Sequence, residues 1–392
     1  MQNHAKDFDV AIVGAGPAGA AAAMALRSKS SPSGLRVALI DKARPPRHKT
    51  CGGGILARAA ALLPVDITPV VERDCRRAEL HHHQPKLQFA TQRDTPVVRM
   101  VMRDRFDHLL VQSAANSGTE LLADTQVTGF KLVKSGAILQ TTAGEIHARQ
   151  VIAADGAGGS MARVIGLRES RHLIPALECE VTVEPSQWER FSDAARFDFG
   201  LVPQGYAWVF PKREHLSIGV LTTRRGSINL HKYYAQYLRT LGIDRPLHEK
   251  RHGYLIPLQS AARHICVMSK SPHILFVGDA LGVADPVTAE GITYAILSGQ
   301  LAARAIVDGE FNDRVVKRIY WSTLQHTIGK ELRYARLLAK LLYEFPRLRA
   351  STFTRHGQRL SELVTDIVMG TTTYAKSVRR PRHYLRLLQP TA

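Results

Sequence analysis

Residues 9–41 read DVAIVGAGPAGAAAAMALRSKSSPSGLRVALID, and this stretch decides the fold. Asp9 to Val13 is a short apolar strand. It runs into Gly14-Ala15-Gly16-Pro17-Ala18-Gly19, after which an alanine-rich helix is expected from about Ala20 to Ser28. Ser30 to Gly34 is a turn, and Arg36 to Ile40 is a second apolar strand closing on Asp41. Strand, glycine-rich turn, helix and strand in this order make the first half of a nucleotide-binding βαβ unit. Gly14 permits the tight turn, Gly16 lets the backbone approach a pyrophosphate, and Gly19 lets the helix pack closely on the sheet. Ala15, Pro17 and Ala18 complete the turn, whose free N–H groups and helix dipole favour phosphate. Asp41, 22 residues after Gly19, is placed to accept hydrogen bonds from a ribose diol, with Lys42 beside it. An acid here favours an unphosphorylated ribose, as in FAD or NAD.

Later segments choose between the two. Val277-Gly278-Asp279-Ala280 follows the apolar strand His273 to Val277. Asp285-Pro286 to Glu290-Gly291-Ile292 then opens a helix that reaches about Val307. A carboxylate at a strand end suits the ribityl chain of a flavin. A helix N-terminus just beyond it would stabilise negative charge on a reduced ring. NAD has no ribityl chain and gives no reason for this second site, so the pattern points to FAD.

The remaining chain fills in the organisation. Arg44 to Gly54 is a loop rich in Pro, Gly and basic residues, and Val98 to Asn116 is a strand entering a helix. Thr125 to Ala154 reads as a meander ending in the buried strand Gln150 to Ala154, and Val127 near its start counts among the cofactor contacts. Pro175 to Ile256 alternates strands with polar turns and lacks the βα rhythm, so it forms a separate layer. The last 80 or so residues are helical in character, with Leu332, Ala335, Leu338, Ala339, Leu342 and Phe345 at helical spacing. The expected fold is α/β. A Rossmann-like FAD-binding domain (1–80, 99–174 and 261–310) is interleaved with a mostly antiparallel β-sheet substrate domain (81–98 and 175–260). A basic helical C-terminal region (311–392) follows.

Composition removes several other classes. At 392 residues with 45% apolar content the chain can build a normal core without staples. Its four cysteines (Cys51, Cys75, Cys179, Cys266) are widely spaced with no CxxC pair, which argues against zinc or a disulfide framework and suits a reducing cytoplasm. His81-His82-His83 reads as surface decoration, and no metal is expected. The opening Met1 to Asp7 is polar, so no secretory signal is expected. The apolar run Val10 to Leu26 falls short of the roughly 20 residues that a membrane span needs. The net charge is +19, and residues 310–392 carry 16 Lys/Arg against 6 Asp/Glu, with Arg379, Arg380 and Arg382 close together. No nucleic-acid motif accompanies this charge. The expected place is the cytoplasm, and the basic C-terminal region reads either as a solvated basic surface or as a peripheral contact with an anionic membrane face.

The GAGPAG turn, Asp155-Gly156 after a strand and the late GDA segment together resemble the para-hydroxybenzoate hydroxylase superfamily of FAD enzymes. Three segments are similar, more narrowly, to its geranylgeranyl reductase family. Lys49-Thr50-Cys51-Gly52-Gly53-Gly54 resembles that family's KxCGGG loop. Pro203-Gln204-Gly205-Tyr206-Ala207-Trp208-Val209-Phe210-Pro211-Lys212 fits PxxYxWxFPK at every defined position. Gly278 to Gly299 resembles GDAxGxxxPxxxEGIxxAxxSG, and Arg103, Phe106, Asp107 and Leu110 fit RxxFDxxL. These matches run in order over about residues 8 to 305.

The resemblance implies an FAD-dependent reductase of isolated carbon–carbon double bonds in prenyl chains of lipids, quinones or chlorophyll precursors. It implies that Arg103 and Asp279 contact FAD, that the Cys51 loop with Gly52 and Gly53 borders the flavin, and that Tyr206 and Trp208 line the substrate channel. Tyr206, Trp208 and Phe210 alternate along one strand and so share a face that suits an apolar chain. Cys51, Tyr206 and Trp208 are the candidate catalytic residues. Arg47, His48 and Lys49 put positive charge beside Cys51, which favours a thiolate. Cys51 either donates a proton to the alkene, shapes the flavin pocket, or is a small buried hydrophobe. No second GxGxxG exists for a resident NADPH, so NADPH, NADH or a reduced redox protein is expected as a transient electron donor. Two departures stand out: Gly159 occupies a position where these flavoproteins often carry serine, and Asp41 one where the family often has Glu. The competing readings are a flavin monooxygenase or halogenase acting on an aromatic or polyketide-like metabolite, and a basic flavoprotein acting mainly as a binding or redox-sensing module.

Overall fold

The computed structural model describes residues 6–167, 171–224, 226, 228–258 and 273–379. Cys266, Arg380 and Arg382 lie outside them. Alternating apolar residues in Lys6–Val13 and Val37–Ile40 form the centre of a seven-stranded sheet, with Val10, Ile12, Val37 and Ile40 fully or almost fully buried. Each such side chain contributes about 1.5–3 kcal/mol by leaving water. The sheet order is Glu120–Leu122, Val37–Ile40, Lys6–Val13, Gly144–Ala153, Gly136–Thr141 and Val127–Val133. Gly144–Ala153 changes partner along its length. It pairs antiparallel with Gly136–Thr141 through residues 144–148, and parallel with Ile274–Phe276 through residues 151–153. The late strand thereby closes the nucleotide-binding sheet.

The helix after the glycine turn is Pro17–Leu26, three residues earlier than the expected start. Proline suits the first helical position, and Gly16 sits at the N-cap. The helix packs its alanine face against Ile292–Asp308 so closely that a Cβ on Gly299 would fall 2.2 Å from the Ala18 carbonyl oxygen.

The second seven-stranded sheet runs His248–Leu258, His172–Thr182, Leu216–Thr222, Gly205–Pro211, Ala194–Phe199, Arg77–His83 and Lys86–Gln92. All neighbours are antiparallel except Ala194–Phe199 and Arg77–His83, which run parallel. A third, three-stranded sheet joins Gly54–Leu56, Val98–Val101 and Val71–Cys75.

The stretch read as strands alone contains the helix Leu230–Leu241. Asn229 caps it by accepting the Lys232 N–H, Gly242 ends it in the left-handed region, and Leu230, Tyr234, Tyr237, Leu238 and Leu241 bury one face on the large sheet. The histidine trio is likewise not surface decoration. It ends the strand Arg77–His83, where His82 is buried and accepts from Arg349 Nε at 3.1 Å, while His83 reaches Asp198 at 2.8 Å. Strand alternation sends His82 toward the C-terminal helices and its two neighbours to the other face.

The C-terminal region is helical: Asp313–Leu324, Lys330–Tyr343, Pro346–Met369 and Tyr374–Arg379. Pro346–Met369 lies across the strands Arg77–His83 and Lys86–Gln92, with Thr91 and Ser361 hydroxyls 2.8 Å apart. Among the described residues no helix is long and apolar enough to cross a membrane.

Candidate functional site

A continuous cavity of about 730 Å³ runs from the glycine turn to the C-terminal helices. Gly14, where it begins, has φ of 108°, and a Cβ there would fall 2.3 Å from the Ala154 carbonyl oxygen. Gly19 is glycine for a similar reason, because its Cβ would lie 1.9 Å from the Gly14 oxygen. Gly16 differs. Only the tip of Arg47, 4.0 Å away, would meet a side chain there. This open space faces the N-terminus of Pro17–Leu26, where no side chain caps the first N–H groups. Such an end accepts an anion.

Gly14, Gly16, Pro17 and Ala18 line the cavity, as do Asp41 and Lys42. Ala15 does not; its N–H donates to Asp41 Oδ2 at 2.8 Å and ties the carboxylate to the turn. Asp41 Oδ1 accepts the Ala43 N–H at 3.0 Å, and Arg47 approaches Oδ2 at 3.2 Å. A phosphate-sized space at a helix end with a fixed carboxylate at the ribose position fits a dinucleotide.

Cys51, Gly52 and Gly53 form the next part of the wall. Gly53 has φ of 68°, and a Cβ there would sit 2.1 Å from the Val101 oxygen and 2.5 Å from Lys212 Nζ. Lys212 is buried and donates to the carbonyls of Gly52 and Val101 at 2.7 and 2.9 Å. Burial lowers its pKa to about 8. The lysine thus clamps the glycine loop to the strand Val98–Val101. Cys51 Sγ accepts the Gly53 N–H at 3.3 Å and lies against Arg103. Arg103 holds Asp107 with two hydrogen bonds, of 2.8 and 2.9 Å. Lys49 rests 3.4 Å from the ring centre of Tyr254; burial, then Arg103, lowers its pKa to about 8.

Val127, Asp155 and Gly156 also line the cavity. The Asp155 carboxylate accepts the Met161 N–H at 2.8 Å and folds over Gly159, where a Cβ would lie 2.2 Å from it. That contact accounts for glycine at this position. Asp279, Glu290, Gly291 and Ile292 reach the cavity together; a Cβ on Gly291 would lie 2.9 Å from Asp279 Oδ1. Gly19, Gly278 and Pro286 do not line it. Gly278, with φ of 58°, instead packs against Ala18 and Ala295.

The segment from Asp285 to Gly291 is anchored by Tyr206 and by side chains the sequence did not single out, Arg58, Tyr343 and Tyr374. Asp285 is fully buried, takes the Val287 N–H at 2.8 Å, and meets Arg58 at 3.3 Å and the Tyr374 hydroxyl at 3.0 Å. Tyr206 and Tyr343 donate their hydroxyls to the carbonyls of Thr288 and Val287. Two of these anchors, Tyr343 and Tyr374, come from the C-terminal helices. The helical character of that region was visible in the sequence, but neither tyrosine nor its partner was.

The far end of the cavity is apolar. Tyr206, Trp208 and Phe210 lie side by side on Gly205–Pro211, with ring centres 6.1 and 6.2 Å apart, and Phe197 packs edge-on against Phe210 at 5.3 Å. Leu342, Phe353 and Leu360 form the opposing wall from the C-terminal helices.

Fold and site together define a flavoprotein oxidoreductase that holds FAD. The FAD binding domain family matches residues 7–306, and the chain belongs to it. An uncharacterised protein of Methanosarcina barkeri is 32% identical over 86% of this chain and 84% of its own length. A menaquinone reductase of Mycolicibacterium smegmatis is 27% identical over 85% and 84%, and digeranylgeranylglycerophospholipid reductase 3 of Methanosphaera stadtmanae 26% over 86% and 87%. Among solved structures, a geranylgeranyl bacteriochlorophyll reductase-like protein of Thermoplasma acidophilum superposes with a TM-score of 0.75, at 22% identity, covering 98% of this chain and 96% of that one. The flavin-dependent brominase Bmp2 reaches 0.70 at 18% identity, covering 98% and 100%. The resemblance to the geranylgeranyl reductase family thus holds over most of the chain.

Proposed function

We propose that this protein is an FAD-dependent reductase of carbon–carbon double bonds in a prenyl chain carried by a lipid or quinone. The observation that supports it is the cavity's second half: apolar and aromatic, continuous with the dinucleotide end, and walled by both the large sheet and the C-terminal helices. Bound FAD would supply hydride once reduced. Gly16 and Asp41 would hold its phosphates and ribose, and the Cys51–Gly53 loop, Arg103, Asp279 and Gly291 would border its ring end. Tyr206, Trp208 and Phe210 would lay the alkene alongside and keep water away. The electron donor, NADPH, NADH or a reduced redox protein, binds transiently in this reading.

The test is anaerobic. The reduced protein is mixed with a geranylgeranylated lipid or menaquinone. Flavin reoxidation with a mass gain of one H2 per bond supports the reading. A flavin that stays reduced until oxygen is admitted, and then yields an oxygenated or halogenated aromatic, replaces it with the monooxygenase or halogenase reading.

Leu360 gives a narrower test of the channel. Leu360→Trp should fill the apolar end, retain FAD and its reduction, and raise the KM for a long prenyl lipid roughly tenfold or more, about 1.4 kcal/mol per decade. Unchanged KM values would put the prenyl chain elsewhere.

The C-terminal helices also carry the proposed membrane contact. Leu337, Phe345 and Leu348 are exposed, with Arg333, Lys340 and Arg347 exposed nearby. Apolar tips amid basic charge suit an anionic bilayer surface. Reversing those three charges to Glu should abolish flotation with phosphatidylglycerol vesicles. Equal flotation of both proteins would discard the contact.

A further inference from the structure

The reduction proposed above needs a proton as well as a hydride, and a carboxyl on the cavity wall is suited to supply it. On the strand His172–Thr182, otherwise rich in apolar residues at this point, Glu178 is 4% exposed and lines the cavity. It lies in register with Gly219 on the next strand, which in turn is opposite Trp208. A Cβ on Gly219 would fall 2.1 Å from the indole, so the missing side chain is what lets the ring lie across that strand toward the carboxyl. Ser217 Oγ donates to Glu178 Oε1 at 2.9 Å, and the indole Nε1 lies 3.5 Å from the same hydroxyl. The indole nitrogen also sits 3.1 Å from where a Cβ of Gly52 would be, so this group stands at the join between the flavin loop and the apolar channel.

We infer that Glu178 is the proton donor to the alkene, held in place by Ser217 and Trp208, an inference that rests on the reductase reading.

Among the described residues, other proton-bearing groups on the cavity are engaged elsewhere, Lys49 against the Tyr254 ring among them. Tyr206 gives its hydroxyl to Thr288, and burial pushes its pKa far above the usual phenol range. Cys51 Sγ is engaged by Gly53 and Arg103. Glu290 accepts the Thr293 N–H at 2.6 Å and faces Arg58 at 3.6 Å. Asp279 takes the Tyr254 hydroxyl at 3.3 Å. Glu178 has burial as its main influence, which raises its pKa to about 7; Ser217 and Lys212 oppose that rise and Glu180 adds to it. His252 faces Glu178 in register from the edge strand, with the tilted ring of His48 centred 4.3 Å from its own. A donor whose pKa lies near the working pH is the most effective general acid.

The balance is simple. One alkene carbon forms a C–H bond with the carboxyl proton, and Glu178 is left as carboxylate. The other carbon forms its C–H bond with a hydride, whose electron pair comes from the reduced cofactor, which ends oxidised. Water reaching the cavity between turnovers restores the carboxyl proton.

The experiment compares wild type with Glu178→Gln, which keeps an acceptor for Ser217. Anaerobic single turnover of the reduced enzyme with a geranylgeranylated lipid should slow roughly 10²–10⁴-fold, with FAD content and melting temperature kept. The wild-type rate should fall as pH rises through about 7, because the protonated acid is the active form, and the variant should lose that limb. Infrared titration of the resting protein should show a protonated carboxyl band with its midpoint near 7 that is missing in Glu178→Gln. Ser217→Ala, a milder change, removes a hydrogen bond that favours the carboxylate and should move both midpoints up. Wild type that reduces prenyl lipids while Glu178→Gln does so equally fast, with the same pH limb, overturns the inference alone. Wild type that binds FAD yet reduces no prenyl lipid overturns the reductase reading, and the inference with it.

Discussion

A chain carrying Gly16→Val should fold and come off purification colourless. Its FAD affinity is expected to fall roughly a hundredfold or more, about 2.8 kcal/mol or beyond. The argument is geometric. Gly16 has φ of −86°, open to any residue, and empty space where a side chain would go. A valine there costs the bare protein little and occupies the place of the pyrophosphate. Gly14→Val is the contrasting control. Its φ of 108° and the Ala154 oxygen 2.3 Å from its Cβ position make that substitution a folding defect. Flavin-to-protein ratio and melting temperature, measured side by side, separate the two. A yellow Gly16→Val protein would refute the placement of the dinucleotide, as would one melting as low as Gly14→Val.

Asp285→Ala should lose about 3–5 kcal/mol of stability in urea unfolding. Asp285 is fully buried and holds Arg58, the Tyr374 hydroxyl and two backbone N–H groups at once. Removing it leaves the guanidinium with a single carboxylate among the described residues, Glu290 at 3.6 Å, and the face of Tyr294. Because the same segment lines the cavity at Glu290 and Gly291, FAD affinity should fall together with stability. Tyr374→Phe, which removes one hydrogen bond to the carboxylate, should cost about 1.5–3 kcal/mol. A loss under about 1 kcal/mol for Asp285→Ala would show that the C-terminal helices do not hold this segment in place.

Parts of this site were legible because they are local in sequence. The turn from Gly14 to Gly19 states its own geometry, and strand, helix and acid follow within a few tens of residues. The aromatic alternation at Tyr206, Trp208 and Phe210 likewise predicts a shared face from spacing alone. The opposing wall was not legible. Leu342, Phe353 and Leu360 have ordinary helical spacing, and only tertiary packing reveals that they face the aromatic strand. Glu178 sits where an apolar residue would also satisfy the pattern, so its burial could not be read from its neighbours. The helix Leu230–Leu241 did carry its signals, an Asn cap and a closing glycine, but the flanking strands made the whole stretch read as strands alternating with polar turns. His82 was misjudged because three polar residues in a row suggest a surface, whereas a strand sends the middle one the other way.

The partner change of Gly144–Ala153 has a consequence for how the protein comes into being. The strand that completes the nucleotide-binding sheet, Ile274–Phe276, reaches its place only after about 120 intervening residues have been made. Those residues build most of the second sheet. During synthesis, residues 151–153 therefore wait with an open edge, a site for mispairing until the late strand arrives. Pairing across so long a separation is slow. The ribosome must have released residue 276 before a flavin can find its complete pocket, so cofactor capture belongs to the end of this chain's folding rather than to its start.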